Sequence, residues 1–235
     1  MDCPSPGGNS GKMRGYLVQP AGKGPFPAVV VIHENRGLNP YVEDVARRLA
    51  VAGFLALAPD GLAPAGGYPG NDDDGRTLQS GLDQAKLRID LLNSARLVKA
   101  HALSTGKLGA TGFCFGGGIV NYLAVELGAD LAAAVRYYGA APEVADVPKI
   151  KAALLLNYAG TDERINGMWP AYEAALKANK VRYEEFACVG TQHGFHNNST
   201  PRRGRGDSGL AAHAGAFPQV PRLRFAQQEA ALPAG

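Results

Sequence analysis

Short apolar runs alternate with amphipathic stretches through most of this chain. Residues 28–32 (AVVVI) are continuous, apolar and β-branched, which fits a strand buried on both faces. The next segment reads as a helix. Asn39 can cap it, Pro40 suits its first turn, and Glu43 and Asp44 complement the positive end of its dipole. Val42, Val45, Ala46, Leu49 and Ala50 share one face, and Gly53 ends the helix. Residues 54–58 form a second buried strand running into Pro59-Asp60-Gly61. The Gly-, Pro- and Asp-rich segment 61–75 lacks periodicity and reads as a long loop flanking a cleft. A long helix is predicted over 76–100, with Leu82, Ala85, Ile89 and Leu92 facing inward. The alternation then continues: strand 107–113, helix from about 116, strands 132–138 and 152–158, helix 169–179, strand 182–187. This order predicts an α/β fold, a mostly parallel sheet with helices on both faces. There is no internal repeat, and residues 1–200 fit a single domain.

Composition narrows the function. Hydrophobic residues make up 46% and charged residues 19%, ordinary for a globular enzyme. Five arginines against two acidic residues after Pro201 account for the whole net charge of +3. The body is therefore neutral, which argues against nucleic acid as a partner. No apolar run approaches the roughly 18 to 20 residues that span a bilayer, so no membrane partner is expected. The polar start, residues 1–9, does not read as a signal peptide, and the expected location is cytoplasmic. Cys3, Cys114 and Cys188 are odd in number and form no CxxC pair, which suits a reducing compartment and speaks against a zinc ribbon or a thioredoxin-like site.

Gly112-Phe113-Cys114-Phe115-Gly116 lies where a strand passes into a helix. This is the G-x-nucleophile-x-G elbow of α/β-hydrolases, with cysteine in the usual serine position. Side chains at Gly112 and Gly116 would collide with neighbouring backbone in so sharp a turn. The helix that follows aims free amides and its positive end at the sulfur, favouring thiolate. The Phe115 amide is the expected oxyanion donor. The alternative is a buried structural cysteine beside a tight turn.

Such a fold takes its acid and histidine later in the chain, in that order. Asp162 follows the strand 152–158, and His193 follows the strand 182–187. Both loops lie at the strand C-termini, where open parallel sheets bind ligands. His193 would keep Cys114 ionised and protonate the leaving alcohol, and Asp162 would fix the ring's tautomer. Glu163, beside Asp162, is a less well placed acid. His196 reads as a solvent-facing neighbour, His101 as a helix-end residue, and His213 falls in the unusual tail. His33-Glu34-Asn35-Arg36-Gly37 ends the first strand, where Asn35 would own the second oxyanion amide. Glu34 either pairs locally with Arg36 or approaches Cys114 and controls the thiol proton.

At these residues the sequence resembles the dienelactone hydrolase family, the carboxymethylenebutenolidases, from about Gly15 to Pro201. The likeness rests on HENRGLNP at 33–40, APDG at 58–61, GFCFGGG at 112–118, GTDER at 160–164 and GTQHGFH at 190–196. It implies a catalytic Cys114, Asp162 and His193, and a Glu34 that holds the resting cysteine protonated or releases it when substrate binds. It also implies arginines gripping a substrate carboxylate. One of these, four residues after the histidine, is replaced here by Asn197; another corresponds to Arg76. The resemblance thus implies ester or lactone cleavage more broadly than cleavage of dienelactone itself.

After Pro201 the pattern collapses into an Arg-, Ala-, Gly- and Pro-rich tail over 201–235, with few ways to bury apolar surface. One set of codons for Arg202–Val220, read one base later, encodes the amphipathic peptide DEAAATLAWQRTLEHFRKY. A frameshift in place of a terminal helix is one reading of the tail, and a divergent disordered extension is the other. The leading functional expectation is a hydrolase acting on a small-molecule lactone or short-chain ester through a thioester acyl-enzyme, with no metal or organic cofactor. The competing expectations are a catalytically silent scaffold that binds a ligand and, last, a redox-sensing thiol without a nearby resolving cysteine.

Overall fold

The apolar runs become the centre of an eight-stranded sheet in a computed structural model that describes residues 1–197. Its strands are β1 (Asp2–Pro4), β2 (Lys12–Val18), β3 (Phe26–Ile32), β4 (Leu55–Asp60), β5 (Ser104–Phe113), β6 (Ala133–Tyr137), β7 (Ala153–Ala159) and β8 (Tyr183–Cys188). They lie in the order β1-β2-β4-β3-β5-β6-β7-β8. Strands β4 to β8 in this order are parallel, and only β1 and β2 run antiparallel to their neighbours. The helices are α1 (Pro40–Val51), α2 (Asp72–Ser80), α3 (Gln84–Lys99), α4 (Phe115–Leu127), α5 (Glu163–Asn166) and α6 (Trp169–Ala178).

Helix α1 forms as its sequence dictates. The Asn39 side chain accepts the Val42 amide, Pro40 opens the first turn, and Gly53 takes a positive φ of 96° just past the end. Its Val42, Val45, Ala46 and Leu49 cover Val29, Val31, Ala56 and Ala58 on one face of the sheet. On the other face α3, α4 and α6 bury Leu91, Val120, Leu123 and Leu176 against Val30, Ile32, Leu55 and Leu57. The alternating pattern has thus produced helices on both faces, as predicted. Among the described residues no helix is long and apolar enough to cross a membrane.

Two local expectations need correction. The segment 61–75 is not an uninterrupted loop: it holds a short 3-10 turn at Ala63–Ala65, and α2 begins at Asp72 under an Asn71 cap. The helix predicted over 76–100 is broken in two at Gly81, where Asp83 caps a fresh start by accepting the Ala85 and Lys86 amides. That break resets the helical phase. Leu87, Leu91, Ala95 and Val98 are buried, Ala85 is exposed and Ile89 only half-buried. The polar N-terminal segment is also structured. Cys3 and Met13 anchor β1 and β2, and the loop between them docks on α3 through Asp90, whose carboxylate accepts Ser5 Oγ at 2.5 Å and the Asn9 amide at 3.0 Å. The expectations for the tail over 201–235, including His213, and the domain limit at 200 lie outside the described residues.

Asp90 is fully buried, so its loss also leaves the buried Ser5 hydroxyl without an acceptor for its proton. Asp90→Ala is expected to cost about 2 to 3 kcal/mol. Urea unfolding checks it, and an unchanged midpoint would mean the N-terminal loop does not hold α3.

Candidate active site

The end of β5 and the start of α4 meet at one residue. Cys114 sits at φ 54° and ψ −114°, a positive-φ conformation that a side chain adopts only under constraint. The constraint is close backbone approach. A Cβ on Gly116 would lie 2.4 Å from the Ile32 carbonyl oxygen and 2.5 Å from that of His33. One on Gly112 would lie 2.4 Å from the Gly116 carbonyl oxygen. The glycines on either side of Cys114 are there for the steric reason read from the sequence.

The sulfur faces a cavity of about 450 Å³ together with Asn35, Phe115, Gly118, Tyr138 and Arg164. The Phe115 backbone amide bonds to it. This amide draws the thiol toward ionisation, as anticipated, yet it is outweighed. Burial and then the charge of Glu34 push the Cys114 thiol up to about 11, against the opposing pull of Phe115, Arg164 and Arg36. This direction is opposite to the thiolate expected from the helix position and the same as the protonated resting cysteine expected through Glu34.

Asp162 and His193 are brought together. His193 Nδ1 lies 2.5 Å from Asp162 Oδ2, while Asp162 Oδ1 accepts the Ile165 amide and caps α5. The neighbouring Glu163 is exposed. Among the described residues the His193 ring is bonded to Asp162 and not to the Cys114 sulfur. Tyr138 links the two: its ring packs 5.0 Å from the His193 ring and also lines the cavity that the sulfur faces. The loop bearing His193 is held on both sides. Asn197 is buried, and the His196 ring packs against Phe113 and Tyr137, with Nδ1 bonded to the Tyr41 hydroxyl. His196 is thus a packed anchor and not a solvent-facing neighbour.

Glu34 is 4% exposed and accepts Tyr138 at 3.4 Å and Asn197 at 2.7 Å. The local Glu34–Arg36 pair is not formed. Arg36 instead reaches Asp72 at 2.7 Å, beside Asn39 and Tyr68, which bond to the same carboxylate. His33, fully buried, donates Nδ1–H to the Glu34 carbonyl and accepts the Gly61 amide on Nε2. It is neutral, since burial lowers its pKa.

Neither Arg76, foreseen for a substrate carboxylate, nor Arg36 lines the cavity. Arg76 forms a surface pair with Asp73 at 3.5 Å, and Arg36 belongs to the Asp72 cluster. The arginines on the lining are Arg88 and Arg164. Arg164 had a signal, two residues after Asp162 on the same loop. Arg88, on a helix distant in sequence, had none. Tyr138 was missed because it reads as the last residue of a strand, although its position at the sheet's C-terminal edge was itself a clue.

Comparison with known proteins gives one consistent family. Residues 13–218 match the model of the dienelactone hydrolase family. An 81-residue stretch, 34% of this chain and 68% of its relative, is 69% identical to a protein named "Putative hydrolase fragment YghX" from Escherichia coli. A "Putative carboxymethylenebutenolidase" from Synechocystis is 33% identical over 204 residues, covering 78% of this chain and 81% of the relative. Among solved structures, a "Putative Dienelactone Hydrolase" from Klebsiella pneumoniae superposes with a TM-score of 0.72 at 26% identity, over 93% of this chain and 98% of that one.

The tightest contact at the elbow yields a direct test. Gly116→Ala drives a methyl group into the carbonyl oxygens of Ile32, the last residue of β3, and His33, the residue after it. It is expected to destabilise the protein by about 3 kcal/mol or more. Wild-type thermal stability in this variant would show that the elbow has slack.

Proposed function

Because this chain belongs to the dienelactone hydrolase family and is a hydrolase, we propose that it cleaves a lactone or short-chain ester with Cys114 as nucleophile, His193 as acid and base, and Asp162 as the group that orients the imidazole. The observation that carries this reading is the 2.5 Å contact of His193 with Asp162 at the same sheet edge as a strained, cavity-facing Cys114. The Cys114 thiol passes its proton to His193 Nε2 as the sulfur attacks the carbonyl carbon, and the carbonyl oxygen gains charge opposite the Phe115 and Asn35 amides. Collapse expels the alcohol, which takes a proton from His193 Nε2, and leaves a thioester on Cys114. Water, deprotonated by the same nitrogen, hydrolyses the thioester and restores the thiol. Asp162 fixes Nδ1–H, so Nε2 is the nitrogen that exchanges protons.

A thioester turns over best with small, activated acyl groups, which favours lactones and short esters. Arg164 and Arg88 supply positive charge on the cavity wall for an anionic substituent. The second reading, a ligand-binding scaffold without catalysis, is favoured by one observation: the resting thiol, held up at about 11, is not bonded to His193.

Acylation separates the two. Cys114→Ala is expected to lower p-nitrophenyl acetate hydrolysis by at least about 10³-fold, and His193→Ala by about 10²- to 10⁴-fold. Unchanged hydrolysis in Cys114→Ala would remove the nucleophile assignment. Because the resting thiol titrates at about 11, its alkylation by iodoacetamide should be slow at neutral pH and climb about tenfold per pH unit up to that value. A plateau reached below pH 8 would contradict the thiol assignment.

A further inference from the structure

The glycines at 116, 117 and 118, just past the nucleophile, do not share one cause. A Cβ on Gly116 meets the Ile32 and His33 carbonyls, and one on Gly117 would lie 2.5 Å from the Tyr137 carbonyl oxygen. Gly118 is different. Among the described residues its Cβ would meet nothing closer than the Ala140 nitrogen at 3.7 Å, an ordinary van der Waals contact, and its φ is not in the left-handed region. Glycine inside a helix destabilises it relative to alanine. Neither close packing nor backbone conformation requires it at 118. The missing side chain instead faces open space, because Gly118 lines the cavity one turn of α4 beyond Cys114. Phe115, Ile119, Tyr122 and Glu126 line it too, positions that share one face of the helix. The cavity is therefore a groove that follows α4 from the sulfur to Glu126, about 18 Å at the helical rise. Its volume of about 450 Å³ suits a small molecule.

We propose that Gly118 is a specificity-determining residue: the space left by its missing side chain opens the groove along α4 to a linear, apolar acyl chain, so that the protein takes esters of acids longer than acetic acid. The inference rests on the reading of Cys114 as nucleophile and goes beyond the short acyl groups that thioester turnover alone favours. The groove suits such a chain. Ile119, Ala140, Ala141 and Pro142 make its walls apolar next to Gly118, and the exposed Arg88, Glu126 and Glu143 mark the end where it meets solvent. The chemistry sets the direction. The leaving alcohol takes its proton from His193 and so lies on the histidine side, and no described residue of 190–197 is on the groove's lining. The acyl side of the ester is the part that enters the groove. A side chain at 118 would stand between the sulfur and the rest of the channel.

The test is kcat/KM for p-nitrophenyl acetate, butanoate, hexanoate and octanoate, measured on the full chain. Each methylene that enters an apolar groove is worth about fourfold, so hexanoate should exceed acetate by about tenfold or more in wild type. Gly118→Ala, Gly118→Val and Gly118→Leu are expected to lower the hexanoate-to-acetate ratio in that order, Gly118→Leu by about tenfold. A purely structural glycine predicts that all the esters fall together while the ratio holds. An unchanged ratio in Gly118→Leu overturns the proposal, as does a wild type that prefers acetate. Ethyl and hexyl acetate test the direction: if Gly118→Leu discriminates between these instead, the groove takes the alcohol and the acyl assignment falls. Should Gly118→Leu fail to fold, Ala141→Leu, which fills the same groove from the segment after β6, carries the same expectation. Hydrolysis lost in Cys114→Ala together with a flat chain-length profile in wild type sinks the groove alone. Hydrolysis that survives in Cys114→Ala sinks the nucleophile reading and leaves the ratio to decide the role of Gly118.

Discussion

The contact on which the rest of this molecule depends is the packing of the α4 backbone against the end of β3. Gly116 lies so close to the Ile32 and His33 carbonyls that no side chain fits between them. That approach forces the turn at Cys114 into positive φ and lifts the sulfur to the sheet's edge. It also delivers the Phe115 amide to the sulfur and puts Glu34, the residue after His33, close enough to act on its charge. One steric constraint therefore sets the position, the hydrogen bonding and the electrostatics of the thiol.

How much of this could be read in advance follows from where the information resides. The buried parallel strands were legible because runs such as Val29–Ile32 are apolar throughout, β-branched and too short for a buried helix. The elbow was legible because its glycines have a local steric cause. The split between α2 and α3 was written at Gly81 and Asp83, but Leu82 between them let one helical phase run through. The loss of Ala85 and Ile89 from the predicted core follows from that single error. The β1–β2 segment stayed hidden for a different reason. The loop between its strands is held by Asp90, 81 to 85 residues away, and no local pattern announces so distant a hydrogen bond.

The candidate site divides along the same line. Asp162 and His193 were found because each follows a strand at a predictable edge. Their pairing is a contact of loop with loop and needed the fold to appear. Glu34 had two readings in the sequence, and distance separated them: Arg36 is engaged by Asp72, leaving Glu34 to Tyr138 and Asn197. The helix position alone pointed Cys114 toward thiolate because it is a local feature, whereas the burial and the carboxylate that outweigh it are assembled from distant segments.

The two oxygens of Asp162 serve different masters: one caps the single turn of α5, and the other holds the imidazole. A carboxylate fastened at both ends cannot swing. The imidazole thus inherits its bearing from a turn of helix, and that turn also carries Arg164 on the cavity wall. Ring orientation and the cation flanking the cavity are therefore set by the same turn of helix.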